Sequence, residues 1–124
     1  MKCLFLILLF NFTGSLLASQ ARSVYLSDKR TENVTIVPGR STILSFPSHP
    51  TKVILGNQGL FAIEYVENDI AIAAIKAPAR SNLFVYLEGR RFGFDLKTAP
   101  DKGDELVLVH DSEDRKVKVK IKND

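Results

Sequence analysis

Side chains that alternate apolar and polar with a period of two dominate this chain, and that period restricts it to β-sheet, because successive residues of a strand point to opposite faces. In Arg91-Phe92-Gly93-Phe94-Asp95-Leu96-Lys97, residues Phe92, Phe94 and Leu96 form one face, while Arg91, Asp95 and Lys97 form the other. Lys116-Val117-Lys118-Val119-Lys120-Ile121-Lys122 repeats the pattern, with lysines 116, 118, 120 and 122 outward and Val117, Val119 and Ile121 inward. Phe61, Ile63 and Tyr65 alternate less strictly with Ala62, Glu64 and Val66. Three segments are apolar on both faces: Lys52-Val53-Ile54-Leu55, Ile70 to Ile75, and Leu83-Phe84-Val85-Tyr86-Leu87. They read as central strands, or as strands with their second face covered.

Turn chemistry separates these runs. Pro38-Gly39 divides Val34–Val37 from Thr42–Phe46, and Glu67-Asn68-Asp69 joins Phe61–Val66 to Ile70–Ile75. Glu88-Gly89 leaves only two residues between two strong strands, which is a tight hairpin. Ala71–Ala79 is alanine-rich, but Ile70, Ile72, Ile75 and Pro78 favour strand over helix. Ala99-Pro100-Asp101-Lys102-Gly103-Asp104 is a loop, followed by Glu105–His110 and then, across Asp111-Ser112-Glu113-Asp114, the lysine-rich run as a last hairpin. The expected fold is all-β: a single small Ig-like sandwich of about eight or nine short antiparallel strands.

The first residues have a separate purpose. Lys2 precedes the apolar run Cys3–Phe10, and Ser19-Gln20-Ala21 offers small side chains at the positions a signal peptidase reads. Residues 1–21 are therefore expected to be a cleaved signal peptide, with Ala21 the preferred cut and Ala18 the alternative, and residues 22–124 the single domain. The run is shorter than the roughly 20 residues that span a bilayer. Cleavage would place the domain in the periplasm or outside the cell and remove Cys3, the one cysteine. Disulfides then contribute nothing, and stability rests on a packed core, for which about 100 residues suffice. The full-chain net charge of +3 falls further when Lys2 is lost, so charge makes no general argument for nucleic-acid binding. Asn33-Val34-Thr35 fits the N-glycosylation pattern, which has meaning only in a eukaryotic secretory pathway.

Catalytic constellations are sparse. The imidazoles are His49, in a turn beside Pro50, and His110; there is no Gly-x-Ser-x-Gly elbow, His-Glu-x-x-His helix or phosphate loop. The His110-Asp111-Ser112-Glu113-Asp114 cluster lacks the spacing of a calcium loop and reads as a solvated turn. Neither an enzyme nor a cofactor or metal requirement is expected. The candidate interaction residues are Phe84 and Tyr86, apolar on a second strand face; Arg80, Arg90 and Arg91, flanking the two strongest strands; and Lys116, Lys118, Lys120 and Lys122. The lysines either protect an edge strand or bind an anionic polymer.

From Asn33 to Lys97 the order of motifs resembles the N-terminal domain of the VirB9/TrbG/CagX family of type IV secretion and conjugation systems. The resemblance rests on Pro38-Gly39-Arg40-Ser41-Thr42-Ile43-Leu44-Ser45-Phe46-Pro47, Lys52-Val53-Ile54-Leu55-Gly56, Ser81-Asn82-Leu83-Phe84-Val85-Tyr86 and Arg90-Arg91-Phe92-Gly93-Phe94-Asp95-Leu96. The family's Lys-Pro step is matched loosely by Lys76-Ala77-Pro78, and its second domain is not matched. The resemblance implies a periplasmic, non-enzymatic module that docks onto other envelope or secretion-system proteins. It implies no nucleic acid, and membrane association only through those partners; self-association stays open. Two alternatives remain: a secreted ligand-binding or inhibitory β-domain acting through the lysine stripe, and a secretin- or pilus-assembly-associated domain.

Overall fold

The computed structural model describes residues 21–113. Among them run nine strands: β1 (Ala21–Leu26), β2 (Thr31–Ile36), β3 (Ser41–Ser45), β4 (Lys52–Leu55), β5 (Phe61–Val66), β6 (Asp69–Ala74), β7 (Arg80–Leu87), β8 (Arg90–Thr98) and β9 (Leu106–Asp111). They form a five-stranded sheet of order β1-β9-β3-β6-β5 and a four-stranded sheet of order β2-β8-β7-β4. The all-β sandwich is as expected. The lysine-rich run, with Lys116, Lys118, Lys120 and Lys122, lies outside the described residues.

Strand parity builds the core. Val34 and Ile36 of β2, Leu83, Val85 and Leu87 of β7, and Phe92, Phe94 and Leu96 of β8 are buried on one inner face. Val24 and Leu26, Leu44, Ile70 and Ile72, and Val107 and Val109 oppose them from the other sheet. Phe46, just past β3, packs edge-on against Phe94 at 6.0 Å and lies 6.5 Å from Phe92. Each fully buried side chain of this size stabilises by roughly 1.5–3 kcal/mol, which replaces the disulfides the sequence lacks.

Not all pairs are antiparallel, which corrects the expectation. β1 runs parallel to β9, β9 parallel to β3, and β2 parallel to β8. The physical reason lies in the connections. In-sheet hairpins join β5 to β6 and β7 to β8, whereas the other links carry the chain from one sheet to the other. A strand that arrives by crossing sheets is free to align parallel with a distant one. β9 has both edges occupied over Leu106–Leu108, by β1 and β3, and the expected last hairpin involves residues outside the described ones.

The predicted turns keep their chemistry. Arg40 N–H donates to Val37 O at 3.0 Å across Pro38-Gly39, and Gly39 has φ +83°, the conformation a type II turn requires. At the β7–β8 hairpin both loop residues are left-handed, Glu88 at φ 48° and Gly89 at φ 71°, as in a type I′ turn.

Two arginines hold the sheets together beside β1 and β2. Arg22 of β1 donates to Glu32 Oε1 at 2.6 Å, to Asn33 O at 2.9 Å and to both Asp104 oxygens at 3.1 Å. Asp104 also accepts from Thr35 N–H at 2.9 Å. Burial lowers the Arg22 pKa, but the hydrogen bonds and charges of Asp104 and Glu32 outweigh it, and the net direction is upward. At the opposite end Arg90 of β8 reaches Asp28 at 3.0 Å and Asp111 at 3.0 and 3.1 Å.

Candidate functional site

Two outer faces remain once the core is assigned, and they differ in chemistry. On the five-stranded sheet, Ser41, Ala62, Ala71 and Ala73 floor a shallow open depression of about 310 Å³ edged by Ile63 and Glu64. Its small side chains offer little to orient a ligand. On this face Tyr25 stacks on His110, with ring centroids 4.8 Å apart.

The four-stranded sheet carries the denser set of polar and aromatic groups. Its register places them in rows across the strands. Arg91, Tyr86 and Lys52 form one row, on β8, β7 and β4. Next come Thr31, Gly93, Phe84 and Ile54. Asn33, Asp95 and Asn82 make the third row, and Thr35, Lys97 and Arg80 the last. Phe84 and Tyr86 are half-buried, whereas Lys52, Arg80, Arg91, Asp95 and Lys97 are exposed, and Ile54 keeps 42% of its surface in solvent.

One detail makes this face firm. Gly93 leaves a notch into which the Phe84 ring settles, and the Arg91 guanidinium sits 5.8 Å from that ring's centroid. Such a cation–π contact is worth about 0.5–1 kcal/mol where solvent reaches it. The ring thus lies against the glycine with a cation over it.

The structure therefore brings together Phe84, Tyr86 and Arg91, with Arg80 on the same face about 20 Å along the strands from Tyr86. Arg90 is separated from them. It shares parity with Phe92 and Phe94, so it turns to the sheet–sheet side and is engaged by Asp28 and Asp111. Lys52, Ile54, Asn82, Asp95 and Lys97 belong to the face but were not singled out from sequence. The alternation of β8 already aligned Asp95 and Lys97 with Arg91; the neighbours on β4 and β2 had no sequence signal.

Of the acidic cluster that begins at the end of β9, His110 faces outward on Tyr25 and Asp111 turns inward to Arg90. Adjacent strand residues on opposite faces cannot converge on one ion. Among the described residues no group of histidine, cysteine or carboxylate side chains is placed to hold a metal. His49 is exposed, with Nδ1 2.7 Å from Glu67 O. No protein-family profile and no curated protein sequence matches the chain.

Proposed function

We propose that this chain is an exported, non-enzymatic protein-binding module of the cell envelope, a subunit or accessory of a type IV secretion or conjugation apparatus. It docks through the outer face of the four-stranded sheet. The observation that carries this reading is the shared outer face on which Phe84, Tyr86, Arg80 and Arg91 project from neighbouring strands. Aromatic residues and arginine are the side chains that most often anchor protein interfaces. The apolar run Cys3–Phe10 after Lys2 supports export, and the motif order from Asn33 to Lys97 supports the choice of apparatus.

The test is site-specific photo-crosslinking from position 86 in the full-length protein, expressed in its own cells. The expected products are adducts with secretion-apparatus subunits in the envelope fraction. Recovery of uncrosslinked protein alone, or of cytosolic protein that retains residues 1–21, would overturn the reading.

A further inference from the structure

The outer face of the four-stranded sheet carries its charge in a divided pattern. Lys52 and Arg91 stand in one end row and Arg80 and Lys97 in the other, about six residues or ~20 Å apart along the strands. Between them lie the Phe84–Gly93–Ile54 row and the Asn33–Asp95–Asn82 row, so the one carboxylate among these strand positions sits between the cationic rows.

We infer that this face takes an acidic protein segment whose carboxylates fall in two groups about 20 Å apart, flanking an apolar and amide-bonding centre. This rests on the docking face proposed above and specifies the chemistry of its partner. Two observations favour a protein over a nucleic acid. A polynucleotide spreads its charge evenly along its length, and its middle phosphates would meet Asp95 with no cation beside it in that row. Single-stranded nucleic acid also needs open aromatic faces for its bases. The Phe84 ring instead lies against Gly93 and carries the Arg91 guanidinium over it, 5.8 Å from its centroid. Asn33 and Asn82 supply donors and acceptors suited to the amides of a polypeptide.

Fluorescence anisotropy with three labelled probes tests this. One peptide has glutamate pairs about six residues apart with serine and leucine between; a second has the same composition with its glutamates contiguous; the third is an oligothymidylate of similar length. The divided peptide is expected to bind at least about tenfold more tightly than either of the others. Lys52→Glu with Arg91→Glu, or Arg80→Glu with Lys97→Glu, should weaken it by at least about tenfold, and a divided peptide with one glutamate pair changed to lysine should regain affinity for the matching variant. Equal binding of all three probes, preference for oligothymidylate, or no binding of the divided peptide overturns the inference. Crosslinked partners from position 86 whose capture is indifferent to these charge reversals would overturn it while leaving the docking face intact. Absence of any crosslinked protein would instead count against the docking face itself.

Discussion

Phe84 lies across Gly93: a Cβ at position 93 would stand 3.3 Å from the Phe84 ring and 3.3 Å from Thr31 Oγ1. The glycine is thus the seat of the aromatic residue at the centre of the proposed docking face. A β-carbon there requires the ring or the Thr31 hydroxyl to give by a few tenths of an ångström, and a branched side chain requires more.

Gly93→Val is expected to lower stability by about 1–2 kcal/mol through this displacement. Phe84→Ala should remove most of that penalty, so a double-mutant cycle by urea unfolding reads the coupling directly. Additive effects of the two changes would show that the ring does not rest on the glycine.

The Arg22–Asp104 clasp joins β1 and β2 to the segment before β9. Asp104→Ala strands the Thr35 N–H and one side of Arg22, and is expected to cost about 1–3 kcal/mol in chemical denaturation. Removing both ends, as Arg22→Met with Asp104→Ala, should still leave the Thr35 amide unpaired and should not restore full stability.

That clasp also has a defined pH dependence. The folded-state Arg22 pKa is raised, so its contribution is fully present below the unfolded value and is lost only as pH climbs through the folded one. Both lie far above neutrality. The stability difference between the native protein and Arg22→Met is therefore expected to stay level between about pH 7 and pH 10. A steady decline across that range would place the protonation change elsewhere.

Glu88 holds a left-handed backbone at φ 48° in the β7–β8 turn, a conformation that asparagine and glycine adopt more readily. Glu88→Asn should raise stability by about 0.5–1 kcal/mol, seen as a higher urea midpoint with an unchanged slope.

In the core, Phe94 is fully buried and meets Phe46 edge-on. Phe94→Ala is expected to cost about 3–5 kcal/mol, a large fraction of what a domain this small has available. Loss of near-ultraviolet circular dichroism at moderate urea would report it.

Legibility from sequence followed the range of the interactions. The strand character of β5 and β8, the inward set Phe92, Phe94 and Leu96, and the turns at Pro38-Gly39 and Glu88-Gly89 depend on neighbours a few residues away, and alternation and turn chemistry reveal them. β1 is not read as a strand from sequence, although Val24 and Leu26 alternate with Ser23 and Tyr25. β4 reads as a central strand from its apolar residues, yet it forms a sheet edge whose exposed Ile54 faces solvent.

The sequence by itself determined that this protein is built of strands, which side chains of β8 point inward, and where the tight turns fall, since each depends on local backbone geometry. Tertiary structure alone decided that β9 inserts between β1 and β3, that β2 runs parallel to β8, and that Lys52 and Arg91 share a row while Arg90 clamps Asp28 and Asp111. Those outcomes join residues tens of positions apart across two sheets. They are selected by which packing buries the whole apolar set at once, and no short stretch of sequence carries that information.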